Sequence, residues 1–302
     1  MRKNKPKVNA PLGATLVVLS SFFYASYGIW TKLMGNFFEG YTASALRSIL
    51  VLLVLIPIAV TYRKLEPIRL KRTWTHYFGM FLGSLVVWGP LYYAIIHADI
   101  GISLILHYAS YLIGMFVFGW LFARERFTRD GWLSALLGLI GLGLVFSPST
   151  ASFGWLALGA ATLSGVGAAI VTFASKQIPY KATQATLAIW SMSTIANVLV
   201  ALVISETRPA IGWHVQYLYL LVFAIASVIA SWSLTKGVKL IDAGAAGILG
   251  LLEIVFGVLF GVIFFHERPD VVALIGMAII IAAATIPYIK DYNTKRGTLD
   301  QT

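Results

Sequence analysis

The sequence lacks cysteine entirely and is poor in charge, and both absences narrow what the chain can be. With no cysteine among 302 residues, disulfides and cysteine-based metal or redox sites are excluded. Charged residues make up only 12% of the chain and hydrophobic residues 59%, against roughly 45–50% hydrophobic in a soluble domain. The composition therefore indicates a membrane protein.

Motifs of catalysis and nucleotide binding are missing as well. The sequence contains no Walker loop, no His-Glu-x-x-His, no nucleophile elbow and no cluster of metal ligands. A multi-span membrane enzyme would have to use His107, Asp99 and Glu253 without a clear nucleophile. We therefore expect no enzyme and no cofactor, and a transporter without a nucleotide-binding domain would draw its energy from a gradient.

Ten apolar runs of about 20 residues, the length that crosses a hydrocarbon core of about 30 Å, predict an all-α protein with ten transmembrane helices. The first run follows a basic N-terminus and is too long for a signal-peptide core, so we interpret it as a signal anchor. The predicted spans are residues 12–34, 41–62, 74–97, 100–122, 130–147, 153–174, 183–205, 215–238, 243–265 and 270–289.

Positive charge is distributed by side of the membrane. If the N-terminus is cytoplasmic, all but four of the 23 Lys and Arg residues lie on the cytoplasmic side. The four exceptions are Arg208 and Arg268 outside, and Lys32 and Arg47 within spans. The positive-inside rule then places both termini in the cytoplasm, with the cytoplasmic membrane as location. The excess of basic residues on the cytoplasmic side of the lipid bilayer also explains the net charge of +11, so we expect no nucleic-acid partner.

One pattern occurs twice in the chain, about 143 residues apart. Residues 99–101 (Asp-Ile-Gly) open an uncharged stretch that ends at Glu125-Arg126, and residues 242–244 (Asp-Ala-Gly) open another that ends at Glu267-Arg268. With five spans in each half, the two copies face opposite ways. The sequence therefore predicts two inverted five-helix repeats, residues 1–150 and 151–302, with a site near the midplane where they meet.

Other landmarks recur at an offset of 144 residues. Leu19, Ser20 and Lys32 in the first half correspond to Leu163, Ser164 and Lys176 in the second, and Trp88 corresponds to Trp232.

Short motifs add a resemblance to a known family. The matching pieces are Ala45-Leu46-Arg47, residues 122–128, Leu252-Glu253-Ile254-Val255 and His266-Glu267-Arg268. With the two five-helix copies, they resemble the drug/metabolite transporter superfamily and its EamA-like branch over nearly the whole chain. Family patterns usually have Pro at the position of Ile254 and Gly at those of Arg124 and His266.

The resemblance implies a fold and a function. It implies a basket of ten helices whose first, third, fourth, sixth, eighth and ninth spans line a central cavity. Many relatives export amino acids or other metabolites, so export is the direction that the resemblance favours.

Glu253 is the only acidic residue deep inside a predicted span, about 16 Å into the membrane core at 1.5 Å per residue. An intramembrane carboxylate marks a pathway by default, where it binds a cationic group or carries a coupling proton. The alternative is a structural glutamate hydrogen-bonded between helices. On the equivalent helix, His107 and Tyr111 share one face, and His107 either faces the cavity or is satisfied by a neighbouring carbonyl or hydroxyl.

Aromatic side chains at mid-depth are candidates for substrate binding. Rings there are not explained by an interfacial belt, and they can enclose an aromatic side chain or, together with Glu253, hold a quaternary ammonium by cation–π attraction. The alternative for each is packing between helices. The candidates are Tyr24, Tyr27, Trp30, Trp88, Tyr92, Trp190 and Trp232, of which Trp88 and Trp232 rank highest because the repeat relates them.

Basic residues in the spans have two interpretations. Arg47 is expected to snorkel structurally to the outer surface; its functional alternative is to hold a substrate carboxylate or pair with Asp99. Lys32 and Lys176, which end corresponding helices, are expected to snorkel to opposite surfaces.

Acidic residues lie at both ends of the repeated stretch. Asp99 and Asp242 are expected to cap the helices that follow them. Glu125 and Glu267 are either part of gating ion pairs or solvated surface residues worth about 0–1 kcal/mol.

These observations predict a secondary transporter that moves a small organic solute, such as an amino acid or related metabolite, by alternating access. One alternative is a choline-like organic cation held by aromatic rings and Glu253. Another, of a different class, is a lipid scramblase or sensor. A coupling proton is a possible partner, and the sequence does not predict the oligomeric state.

Overall fold

The computed structural model describes residues 9–35, 37–63, 65–97, 100–146, 154–206 and 212–299, and their regular structure is helical. In chain order the helices are α1 (Ala10–Ala25), α2 (Tyr27–Met34), α3 (Gly40–Thr61), α4 (Leu70–His97), α5 (Ile100–Ala123), α6 (Arg129–Val145), α7 (Trp155–Gln177), α8 (Ala182–Val203), α9 (Val215–Val238), α10 (Ala243–Gly250), α11 (Leu252–Phe265) and α12 (Val271–Leu299).

Ten spans account for these helices. The first consists of α1 and α2 and the ninth of α10 and α11, because Ser26 and Leu251 at the two interruptions keep right-handed helical angles. Seven spans in the described chain are long and apolar enough to cross a bilayer; of the other three, α4 has 28 residues, α6 has 17, and the apolar part of α12 is Val271–Ile286. The predicted fold class is confirmed, and the protein is an integral membrane protein.

Helix pairing follows the predicted repeat. Helix α1 packs on α9, and α4 packs on α7, so the first span meets the eighth as the third meets the sixth. Helix α3 packs on α8, and α6 on α12, so spans that are equivalent in the repeat also meet each other. Exchanging the two halves leaves this set of pairs unchanged, as expected for two copies related by a two-fold axis.

Glycines bring two of these helix pairs into backbone contact. A Cβ on Gly83 of α4 would lie 2.7 Å from the carbonyl oxygen of Gly167 in α7. A Cβ on Gly237 of α9 would lie 2.9 Å from the carbonyl oxygen of Gly13 in α1. Small residues at these crossings are what allows apolar helices to pack tightly in lipid, where no hydrophobic effect drives them together.

Candidate functional site

A polar centre surrounds Glu253 where α1, α2, α5 and α11 meet. Glu253 is the second residue of α11, and its half-buried carboxylate is hydrogen-bonded by the side chain of Tyr108 from α5. Three further phenols, of Tyr24, Tyr27 and Tyr111, lie close enough to interact electrostatically with this carboxylate. Four tyrosines from three helices therefore converge on one intramembrane acid.

Tyr111 and Glu253 occupy equivalent positions in the two repeats, each 14 residues before a Glu-Arg turn. Gly250 lets them share one region, because a Cβ there would lie 3.2 Å from Cε1 of the Tyr111 ring. The side chain of Tyr111 is also hydrogen-bonded to Thr172 of α7. The position that carries the acid in one repeat thus carries its aromatic neighbour in the other.

His107 makes a different contact, one turn before Tyr111. Its Nδ1 lies 2.9 Å from Oγ of Ser164, and that hydroxyl donates its own hydrogen to the carbonyl oxygen of Val87 at 2.5 Å. Nδ1–H is therefore the donor and Ser164 the acceptor. This geometry matches the alternative in which the histidine is satisfied by a neighbouring hydroxyl.

Arg47 lies in the second turn of α3 and is 3% exposed. Its guanidinium carbon lies 4.5 Å from the ring centre of Phe223, 4.6 Å from Trp88, 5.0 Å from Tyr27 and 5.6 Å from Trp190. The expectation that Arg47 snorkels to the outer surface is therefore wrong, because four rings from four helices enclose it. We call these rings, with Arg47, the guanidinium cage.

Tyr24 and Trp30 border the cage on the first span. The ring centre of Tyr24 lies 5.1 Å from that of Tyr27, edge to face. Trp30 donates its indole N–H to Oγ of Ser26 at 3.2 Å, the residue at which the helix is interrupted. The aromatic stripe of the first span thus contributes to the Glu253 centre, to the guanidinium cage and to a contact within its own span.

Trp88 and Trp232 do not share a site, although the repeat relates them. Trp88 stacks on Arg47, whereas Trp232 donates its indole N–H to Thr183 at 3.2 Å and lies under the ammonium of Lys236, 4.7 Å from its ring centre. Trp190 is anchored differently again, by an indole hydrogen bond of 2.8 Å to Ser231. The side chain of Tyr92 and the whole of Asp99 lie outside the described residues, so their predicted roles stay predictions.

A buried ion pair joins the two halves. Nζ of Lys176, at the end of α7, lies 2.9 Å from Oε1 of Glu125, and the side chains are only 12% and 10% exposed. The same ammonium donates to the carbonyl oxygen of Ile241. Oε2 of Glu125 accepts the backbone N–H of Ala243, the first residue of α10, at 2.7 Å. Lys176 therefore does not snorkel as expected.

The cap of α10 also differs from expectation. Asp242 occupies the N-cap position, but its side chain makes no capping hydrogen bond. The carboxylate that satisfies the helix end comes from Glu125, 118 residues earlier in the chain. Because this partner comes from the other repeat, local spacing did not indicate it.

An exposed ion pair occupies the equivalent position at the other end. Lys32 pairs with Glu267, and their side chains are 54% and 51% exposed. The two turns have the same backbone: Arg124 and His266 have φ of 54° and 55°, and the N–H of the following glutamate donates to Gly119 or Gly261 at 3.0 and 3.1 Å, respectively. The repeat is therefore preserved at the level of individual hydrogen bonds.

Sequence reasoning missed three residues of these clusters. Tyr108 could have been found, because it stands three residues before Tyr111 and so lies on a similar helix face. Lys176 is expected from the sequence to snorkel, and nothing in the local spacing indicates its partner Glu125. Phe223 carried no signal, since it is one apolar residue among many on α9.

One protein-family model matches both halves of the chain. The model described as the EamA-like transporter family matches this chain twice, at residues 11–147 and 155–288. A solved crystal structure with 18% sequence identity covers 93% of this chain and 98% of its own, with a TM-score of 0.76, and shows the same fold.

Curated relatives of low sequence identity match the chain over most of its length. Solute carrier family 35 member G1 of Mus musculus is 23% identical over 93% of this chain and 79% of the relative. An S-adenosylmethionine uptake transporter of Rickettsia bellii is 21% identical over 90% of this chain and 91% of the relative. An uncharacterized transporter of Helicobacter pylori is 22% identical over 91% of this chain and 93% of the relative. The chain belongs to the EamA-like transporter family.

Proposed function

We propose that the protein is a secondary transporter that moves an amino acid or related metabolite across the cytoplasmic membrane by alternating access between its two inverted halves. The observation that carries this proposal is the inequality of two equivalent ion pairs. Lys176–Glu125 is buried and Lys32–Glu267 is exposed, although the repeat makes them counterparts. In an alternating-access cycle one end is closed while the other is open.

The polar centre supports an amine-bearing solute. Glu253 offers a carboxylate to an ammonium group at the meeting point of the halves, and its tyrosine neighbours supply aromatic faces and hydroxyls. The Rickettsia relative is named for S-adenosylmethionine, whose methionine part carries both an amine and a carboxylate. We also assign the coupling proton to Glu253, since intramembrane acids serve as proton carriers in transporters.

The choline-like alternative is less well supported than an amino acid. A quaternary ammonium would need free aromatic faces, and the faces of Tyr27, Trp88 and Trp190 are already occupied by the guanidinium of Arg47. Nothing described favours the scramblase or sensor over a transporter.

The absence of cysteine makes a direct test possible. Cysteine pairs replacing Lys176 and Glu125, or Lys32 and Glu267, are joined by a bifunctional thiol reagent in proteoliposomes, and uptake of a mixture of radiolabelled amino acids is measured. We expect either crosslink to stop uptake and reduction to restore it. The untouched cysteine-free chain, treated with the same reagent, is the control.

Two results would refute the proposal. One is uptake that continues at the original rate when both ends are crosslinked. The other is no uptake of any amino acid in either direction of an imposed pH gradient. Family resemblance favours export, whereas the Rickettsia relative is named for uptake. Loading the mixture inside or outside the vesicles separates the two directions.

A further inference from the structure

Arg47 is a buried cation without a counterion in the described part of the chain. Its side chain is 3% exposed, its Nε has no hydrogen-bond partner, and no described carboxylate forms an ion pair with it. Burying a charge costs several kcal/mol unless it is paired and hydrogen-bonded. A chain that keeps an arginine here is therefore expected to gain something from its charge.

The aromatic cage compensates only part of that cost. Ring faces attract a cation electrostatically, but they do not accept the in-plane N–H bonds of a guanidinium. A carboxylate does accept them, with two parallel hydrogen bonds that match the planar fork. The cage thus leaves unfilled the bonding capacity that a carboxylate would use.

The cage and the Glu253 centre are adjacent. Tyr24 and Tyr27 each interact electrostatically with both Arg47 and Glu253, so the two clusters are neighbours. A region that holds both a buried cation and an intramembrane acid suits a solute that carries a carboxylate and an amine better than an amine or an acid alone.

Trp88 is the least buried wall of the guanidinium cage. Among the four rings, that of Trp88 belongs to a half-buried residue, whereas Tyr27, Trp190 and Phe223 are buried. Trp88 is therefore the ring that a solute can reach and displace. Its indole lies directly over the guanidinium, 4.6 Å from it.

We propose that Arg47 binds the carboxylate of the transported solute, which displaces the ring of Trp88 from the guanidinium. This inference rests on the proposed function and specifies its substrate class: solutes with a free α-carboxylate beside an amine. It makes Arg47 the residue that distinguishes an amino acid from its decarboxylated or esterified analogues.

The test uses three probes that differ only at the carboxylate: L-methionine, its methyl ester and 3-(methylthio)propylamine. Each is measured for thermal stabilisation of the purified protein, and as a competitor of radiolabelled methionine uptake in proteoliposomes. We expect methionine to act at concentrations at least about tenfold lower than the other two. In Arg47→Lys, which keeps the charge without the fork, this preference should fall to less than about threefold.

A second variant separates recognition from folding. Leu142→Ala removes a fully buried side chain of α6, outside the cage and the Glu253 centre, so it should keep the preference for methionine even if its stability falls. Arg47→Gln should lose the preference while still responding to the amine. Measuring preference as a ratio of probes within one variant removes the effect of a lower yield of folded protein.

The outcomes distinguish this inference from the proposed function. If methionine is transported but the ester and the amine compete equally well, Arg47 does not bind the carboxylate and transport of amino acids stands. If Arg47→Lys keeps the full preference, the inference is again wrong. If none of the three probes stabilises the protein or competes, and no amino acid is taken up, both proposals fail.

Discussion

Lys176 and Glu125, 51 residues apart in the chain, form a 2.9 Å ion pair that is nearly enclosed by protein. Their counterparts in the repeat, Lys32 and Glu267, form the same pair in contact with solvent. One chemical arrangement is therefore present twice in one chain, in two different dielectric environments. This gives each experiment on one pair a natural control in the other.

Neutralising the acid of the buried pair should be far more costly than neutralising that of the exposed one. Glu125→Gln leaves the ammonium of Lys176 buried without a carboxylate, and breaking a buried pair costs about 3–5 kcal/mol. Glu267→Gln affects an exposed pair worth about 0–1 kcal/mol. Thermal unfolding in detergent should show a clearly lower midpoint for the first variant only, and equal shifts would contradict this assignment.

Relief of backbone strain at the two turns should stabilise the protein. Arg124 and His266 have positive φ values of 54° and 55°, a region that costs a residue with a side chain about 1–2 kcal/mol and glycine almost nothing. After the greater chain entropy of glycine is subtracted, Arg124→Gly and His266→Gly should each gain on the order of 0.5 kcal/mol. Replacement by alanine, which keeps the strain, is the control, and an equal gain there would exclude strain as the cause.

Two glycines of α6 should respond in opposite ways to alanine. A Cβ on Gly141 would lie 2.8 Å from the carbonyl oxygen of Gly276 in α12, so Gly141→Ala must force the two helices apart. A Cβ on Gly143 meets nothing within 4 Å, so Gly143→Ala should stabilise the helix by up to about 1 kcal/mol. Thermal midpoints of the two variants check this, and a neutral Gly141→Ala would show that the contact is looser than described.

Stability should rise with pH through the titration of Lys239, which follows the end of α9. Burial and the nearby Lys176 lower the pKa of Lys239 from 10.5 to about 8. Between these values the folded protein binds fewer protons than the unfolded chain, so the free energy of unfolding increases from about pH 8 to about pH 10.5. Below pH 8 the lysine is charged in both states, and its desolvation penalty is fully present.

Lys239→Met should abolish this rise. The other charged groups near Lys239 are Lys176 with its partner Glu125, and His76, which interacts electrostatically with Lys239. The measurement is the slope of the thermal midpoint against pH, since the variant also loses the hydrogen bond to Ile178 and starts from a different stability. An unchanged slope would assign the rise to another group.

Glu253→Gln should remove transport while preserving the fold. The amide can still accept the hydrogen bond from Tyr108, but it offers neither a negative charge nor a titratable proton. Uptake of amino acids into proteoliposomes should fall by at least about tenfold, with an unchanged elution profile. Tyr108→Phe, which keeps the acid and removes its donor, is the matched variant and should retain more activity. Full activity of Glu253→Gln would leave this acid a structural role only.

Much of the fold was accessible from the sequence because it depends on local properties. Each span is a run of apolar residues, and the ends of the predicted spans agree with the helices within four residues, except that α12 continues to Leu299, past the predicted end at residue 289. The interruption at Ser26 was not predicted, since its hydroxyl bonds back to the carbonyl oxygen of Phe23 at 2.6 Å without any change in composition. The site was less accessible, as Arg47 and Asp242 show.

The sequence alone determined the membrane class, the ten spans and the duplication, because the length of an apolar run and the spacing of repeated motifs depend only on the order of residues. Only the tertiary structure decided which charge meets which partner. Arg47 lies at shallow depth along its helix, yet rings from four other helices enclose it. Asp242 had the right position for a cap, yet Glu125 takes that role from the other repeat. Such contacts depend on how helices distant in sequence are packed, and the energy of a charge depends on that enclosure more than on its position in the chain.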